Sequence, residues 1–219
     1  MIPPPERGAA RDAAIEAMLP HVPFDGWTRR ALARGLADIG APSDEADLLF
    51  PGGAVALVEA FCDMADRRMT EGVATPDLTG DPTSPGTAKG LTARVRAVIA
   101  LRLAQNRPHR EAVRRAVAVL AMPMHARQAA GCTVRTVDAI WHAAGDRATD
   151  FSWYTKRALL AAVYGATLLY WLRDAGAEDD AATLAFLDRR LAGIGRIGKL
   201  RGCAEAALHR VMPPLRRPA

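Results

Sequence analysis

Aromatic residues, cysteines and long uncharged runs are all scarce in this chain. Aromatics make up 5% of its 219 residues, so a cluster of them asks for a reason beyond core filling. The three cysteines, Cys62, Cys132 and Cys203, lie far apart with no Cys-x-x-Cys pair. That spacing argues against a disulfide framework and against a zinc site, and it suits a reducing compartment. The longest uncharged run, Ala158 to Leu172, has 15 residues, short of the roughly 20 that a membrane span needs. The opening "MIPPPERGAARDAA" holds no apolar segment of signal-peptide length, so the reading is cytoplasmic. Catalytic signatures are missing too. The histidines His21, His109, His125, His142 and His209 are scattered, none stands in a Glu-x-x-His pair, and no phosphate-binding glycine loop or nucleophile elbow occurs. The chain reads as non-enzymatic, with no metal and no cofactor.

What is present is helix-forming. Half of the residues are hydrophobic and 24% are charged, ordinary values for a soluble domain with one sizeable core or two small ones. Alanine, leucine and arginine dominate, and apolar residues recur at three and four without strand alternation. The pattern predicts helices over about 6–19, 27–39, 43–50, 54–69, 91–105, 110–121, 125–144, 153–175 and from 179 onward. Breaks are expected at Pro20/Pro23, Gly40–Pro42, Pro51–Gly53 and Pro108. The fold class is therefore all-α. The stretch 72–90, "GVATPDLTGDPTSPGTAKG", is rich in Pro, Gly, Thr and Ser and reads as a flexible linker. It separates a unit over 1–71 from a helical bundle over 91–178, which leads to an amphipathic basic tail over 179–219.

Within 1–71, the sequence from Trp27 to Phe61 reads as helix, turn at Gly40, short helix and long helix. That order resembles the helix-turn-helix unit of TetR-type regulators. Charge argues against DNA as its target. From Gly35 to Asp66 there is no Lys or Arg but there are seven acids, Asp38, Asp44, Glu45, Asp47, Glu59, Asp63 and Asp66. Three of them occupy the would-be recognition helix, which phosphates would repel. The net charge of +5 comes from basic residues elsewhere.

The chain's clustered aromatics fall in "DRATDFSWYTKR", residues 146–157. Around it, "VDAIW", "AGD", "TDFSWYTKR" and "FLDRRL", with the weaker "VPFDGWT" and "LFPGG", run in order from Val22 to Leu191. This combination closely resembles the ubiquinone-biosynthesis accessory proteins whose eukaryotic member is the ninth Coq protein. Departures are small: Ala148 and Ser152 stand where that family usually shows Ser and Asn, and the chain after Leu191 has drifted. The resemblance implies a TetR-like all-α fold, a homodimer, and lipid binding in place of DNA binding. It further implies a role presenting a quinone precursor to the hydroxylase of ubiquinone synthesis, beside the other proteins of that route. By the same resemblance, Asp138, Ile140, Asp150, Phe151, Trp153 and Tyr154 form the hydroxylase-docking patch. The residues add their own support, because Trp and Tyr flanked by charge at a helix start suit an interface anchor. The competing reading is a bundle plug, with Asp150 capping the following helix.

Two further surfaces are expected. Val98, Leu103, Tyr164, Leu168 and Trp171 supply apolar area for a lipid or isoprenoid ligand, while a filled helical core is the alternative. In the last helix, Leu187, Leu191, Ile194 and Ile197 form an apolar stripe flanked by Arg189, Arg190, Arg196, Lys199 and Arg201. That composition fits an interfacial helix on an anionic membrane, at the inner face of the bacterial cytoplasmic membrane, or an ordinary helix packed on its own bundle or on a dimer mate. A ligand-responsive DNA regulator and a lipid-free scaffold of the quinone-synthesis complex complete the set of readings.

Overall fold

The computed structural model describes residues 5–74, 87–146, 153–174 and 180–193. Every regular element among them is helical. The α-helices are α1 (Ala9–Met18), α2 (Val22–Asp25), α3 (Arg29–Asp38), α4 (Glu45–Leu49), α5 (Gly53–Ala74), α6 (Leu91–Asn106), α7 (Arg110–Leu120), α8 (Ala126–Ala143) and α9 (Trp153–Arg173). Residues 181–193 are also helical. The chain divides into two compact units, Met1–Tyr164 and Gly165–Ala219, with the boundary inside α9.

In the first unit α5 is the central element, packed against α1, α6, α7 and α8. Its 22 residues are held by Leu57, Val58, Phe61, Met64 and Met69, all buried. Their spacing of three and four puts them along one side of the helix. Trp27 joins the start of α3 to this core. Its ring lies 5.2 Å from that of Phe61, and its indole N–H donates to the Ala112 carbonyl of α7 at 3.0 Å, which satisfies the one polar atom that burial would strand. Thr28 caps α3, its hydroxyl accepting from the Ala31 N–H at 3.3 Å. Gly40, at φ +70°, ends the segment in the left-handed conformation that glycine adopts without a Cβ clash.

The expected divide at 72–90 differs from the observed one. Because α5 packs on α6 and α8, the helices on both sides of that stretch share a single core, and the first unit continues to Tyr164. The proline-flanked stretch expected as a break contains α2: Pro23 sits in its first turn, where a missing N–H costs nothing. The helix expected over 54–69 continues to Ala74.

The second unit has its own core. Trp171 is fully buried and its indole N–H donates to Asp180 Oδ1 at 3.0 Å. The rings of Tyr170 and Phe186 stack at 4.6 Å, and the Thr183 hydroxyl donates to Asp174 at 3.3 Å. Leu187 and Leu191, expected as membrane-contact residues, are buried. Over 181–193 the apolar stripe is therefore occupied by packing, and the outward face carries Asp188, Arg189 and Arg190. Ile194 and Ile197 lie outside the described residues.

At Gly35, α1 and α3 approach closely. A Cβ on Gly35 would stand 2.6 Å from the Met18 backbone nitrogen and 2.7 Å from the Ala17 carbonyl carbon. Backbone cannot yield as a flexible side chain can. Gly35→Ala is expected to lower stability by about 2 kcal/mol or more, as overpacking does, measured by urea unfolding; an unchanged midpoint would contradict this contact.

Candidate functional site

The polar groups of the first unit gather along α5, and one turn sets the pattern. Asp63 and Asp66, three apart, point to different partners. The Asp63 carboxylate accepts from Arg7 at 2.7 Å and from Arg67 at 3.0 Å, while Arg67 also donates to Asp12 of α1 at 2.6 Å. Burial opposes the charge of Asp63, but the hydrogen bonds and charges of the two arginines outweigh it and hold its pKa below the usual carboxylate range.

Asp66 faces the interior. Its carboxylate lies 2.7 Å from Arg102 of α6 and accepts from the Thr136 hydroxyl of α8 at 3.1 Å. Arg102 also donates through Nε to the Tyr164 hydroxyl of α9 at 2.8 Å. Burial pushes the Asp66 carboxyl up, against the pull of Arg102 and Thr136. Burial also works against the Arg102 charge, but Tyr164 and Asp66 more than offset it, and the guanidinium is held above its ordinary value. Tyr164 is raised as well, chiefly by burial. One ion pair thus meets side chains from four helices, and it occupies the middle of the bundle with charge.

Next to this network, α5, α8 and the start of α9 border a cleft of about 600 Å³ lined by Arg7, Asp63, Arg67, Arg135, Asp138 and Arg157 among others. Arg157 Nε donates to Asp138, joining α9 to α8. The cleft is bounded mainly by charged groups, and none of Val98, Leu103, Tyr164, Leu168 and Trp171 lines it.

The structure separates the expected docking residues. Tyr154 is 78% exposed, three residues before Arg157 and thus on the same side of α9. Asp138 is partly exposed beside Arg157. Ile140 corrects the expectation: it is fully buried. Two positions from Asp138 on a helix is about 200° of rotation, which turns its side chain inward. Trp153 begins α9, but its side chain, with Asp150 and Phe151, lies outside the described residues. Of the expected lipid-binding residues, Val98, Leu103 and Tyr164 belong to the first unit and are buried. Leu168, half-buried, and Trp171, buried, belong to the second. Tyr164 and Trp171 each carry a hydrogen bond to a protein side chain, so their polar atoms are already engaged.

The helix-turn-helix-like stretch is acidic on its surface. Asp44 and Asp47 of the α4 region are exposed, Asp47 pairs with Arg29 at 2.6 Å, and Arg34 is drawn to Asp25 at 2.6 Å. Among the seven acids, Asp63 and Asp66 prove to be turned to arginines rather than offered to an approaching phosphate. The residues that sequence reasoning missed are Arg102 and Asp66. A lone charge in an apolar repeat, as in "ARVRAVIALRLAQ", is the signal that could have found the first.

Two outcomes follow from this geometry. Arg102→Met leaves the Asp66 carboxylate buried without its cation and is expected to cost about 3–5 kcal/mol, while Asp66→Ala combined with Arg102→Met costs less than the single change; thermal unfolding of both variants checks this. For Asp63, a depressed folded pKa means that its stabilising effect is complete above the unfolded value near 4 and is lost as pH falls through the folded value. Asp63→Asn should therefore melt below the parent at pH 7, with the two Tm values converging as the pH falls through the folded value.

The COQ9 family model matches residues 126–198, from α8 into the second unit. "Ubiquinone biosynthesis protein COQ9, mitochondrial" of Drosophila melanogaster is 34% identical over 183 residues, 84% of this chain and 54% of that protein. The Homo sapiens protein of the same name is 31% identical over 177 residues, 81% of this chain and 55% of its own length. The Schizosaccharomyces pombe protein is 30% identical over 187 residues, 85% of this chain and 70% of that protein. The chain spans about half the length of the fly and human relatives. Among solved structures, a TetR transcriptional regulator from Nitrosomonas europaea superposes with a TM-score of 0.64 at 22% identity, over 84% of this chain and 97% of that one, which shows the fold. On the sequence match across most of its length, the chain belongs to the COQ9 family and carries it on a TetR-like all-α fold.

Proposed function

We propose that this chain is a non-catalytic accessory protein of ubiquinone biosynthesis that holds a lipid, either an isoprenoid quinone precursor or a phospholipid, and presents it to a membrane-associated quinone hydroxylase. The observation that carries this reading is the match to the fission-yeast ubiquinone biosynthesis protein over 85% of the chain. The family model falls on residues 126–198, the stretch that holds Asp138 and Tyr154 and the helix over 181–193.

The docking part of the proposal is supported by a large exposed aromatic, Tyr154, beside the Arg157–Asp138 ion pair that fastens α9 to α8. A rigid base under an exposed tyrosine is the arrangement that lets one side chain anchor an interface. The lipid-holding part rests on family membership, with Val98, Leu103, Tyr164, Leu168 and Trp171 as the apolar set offered to the ligand. Membrane attachment is assigned to the basic stretch after residue 193, and no described helix is long and apolar enough to cross a membrane. A homodimer at the inner membrane face, working beside the other proteins of ubiquinone synthesis, completes the reading.

A DNA-binding regulator is the second reading, favoured by the TetR-like fold. It asks an α4 helix of five residues, with exposed Asp44 and Asp47, to enter a groove lined by phosphates. A salt-dependent shift of duplex DNA would support it.

The test is native mass spectrometry with organic extraction of the purified chain, followed by capture of the hydroxylase with the parent and with Tyr154→Asp. The expected outcome is a near-stoichiometric quinone, isoprenoid or phospholipid, retained by Tyr154→Asp while hydroxylase capture falls at least tenfold, as loss of an interface anchor worth about 1.4 kcal/mol or more implies. A chain that stays empty when offered quinone precursors, with hydroxylase capture intact, would contradict lipid presentation and leave a scaffold.

A further inference from the structure

The seam between α5 and α8 contains a pair of cysteines that the proposed function does not use. Cys62 of α5 is half-buried and Cys132 of α8 is buried; both are free thiols. The seam has a simple register. Asp66 receives the Thr136 hydroxyl at 3.1 Å, and Cys62 and Cys132 stand four residues earlier on each helix. The cleft lining advances in the same sense on both helices, Asp63, Asp66 and Thr70 with Arg135, Ala139 and His142, so one turn back on each brings the two thiols opposite one another. They face one another there, close enough for each to shift the other's titration.

A third group completes the cluster. Arg135, one turn along α8, places Nη2 3.4 Å from Cys132 Sγ and the same distance from Glu59 Oε1. Asp66 faces the pair from α5, and Arg102 approaches Cys62 from α6. The two thiols are unequal as a result. Its neighbour Cys132, together with burial, pushes the Cys62 thiol up. Cys62 and the Arg135 guanidinium hold the Cys132 thiol below its ordinary value. With that guanidinium 3.4 Å from its Sγ, Cys132 is the sulfur placed to attack and Cys62 the one placed to resolve.

The geometry points to a reversible two-cysteine redox site, in which Cys62 and Cys132 are oxidised by a small peroxide to a disulfide that ties α5 to α8. The Cys132 thiolate attacks one oxygen of hydrogen peroxide and the O–O bond breaks. The departing hydroxide takes up the proton that Cys132 released, giving water and a Cys132 sulfenic acid. The Cys62 thiol then loses its proton and attacks the Cys132 sulfur; the S–O bond breaks and the hydroxyl leaves with that proton as a second water. Two thiols are oxidised to one disulfide and one peroxide is reduced to two waters. A thiol reductant reverses the step by exchange. Arg135 also lines the cleft that holds Asp138 and Arg157. Oxidation removes its sulfur partner as a thiolate acceptor and fixes the seam on which that cleft is built.

The test uses the full chain carrying Cys203→Ser, so that only the two seam thiols report. After hydrogen peroxide treatment, the expected result is loss of both thiols at one rate and a mass lower by two hydrogens. Peptide mapping should show a cross-link between positions 62 and 132, and Tm should rise by roughly 5 °C or more, as a disulfide closing a long loop implies. Dithiothreitol restores the starting state. In Cys203→Ser with Cys62→Ser, Cys132 should stop at the sulfenic acid and be trapped by dimedone. The inference is overturned if both thiols survive peroxide sufficient to oxidise a surface thiol. It is equally overturned if Cys132 keeps its oxygen while Cys62 stays free, or if the cross-link forms only between molecules.

Discussion

A single buried ion pair orders the first unit of this protein. Asp66 and Arg102 stand 2.7 Å apart, with Thr136 donating to one and Tyr164 accepting from the other. Taking two charges out of water costs several kcal/mol for each ion, and their attraction offsets this only when geometry and extra hydrogen bonds are good. The four groups come from α5, α6, α8 and α9, so the pair is comfortable in one relative placement of those helices. An apolar core could slide by a turn with modest loss, whereas a displaced charge could not. Asp63 does the complementary work one turn earlier, where Arg7 and Arg67 bind the outer side of α5 and carry the connection to α1.

The consequence for function lies in where polarity has been placed. The described cleft is bordered by paired charges, with Asp138 and Arg157 joining α8 to α9 at its edge. Tyr154 stands outside that joint, exposed on a helix whose start is fastened. In the helix-turn-helix-like region, the short α4 and the residue before it show Asp47 and Asp44 to solvent. A TetR-like frame is thus combined with exposed acids on and beside α4, which phosphates repel. Under the proposed function, the exposed aromatic near the start of α9 is the place for a partner to hold.

Much of the fold was legible in the sequence because helix periodicity is local. The apolar spacing of 91–105 and 125–144 located α6 and α8 to within a residue or two, and the family resemblance anticipated both the COQ9 match and the TetR-like frame. What was illegible depended on partners distant in the chain. Asp66 reads as one more acid in an acidic stretch until Arg102 is seen beside it. Ile140 sits in a motif with Asp138, yet the two leave the helix in opposite directions, so membership of a motif did not fix exposure. Leu187 and Leu191 form an amphipathic stripe whose period is the same whether it meets a membrane or a protein core; only the structure shows them packed. Pro23 reads as a break because a proline forbids a helix interior, although at a first turn it begins one.

Deleting the gene in the organism that encodes this chain and quantifying quinones by mass spectrometry separates a role in ubiquinone synthesis from one in transcription. If the chain serves ubiquinone synthesis, ubiquinone falls, its demethoxy precursor accumulates, and the parent chain reverses both. Ubiquinone and precursor at parental levels in the deletion strain would contradict that role.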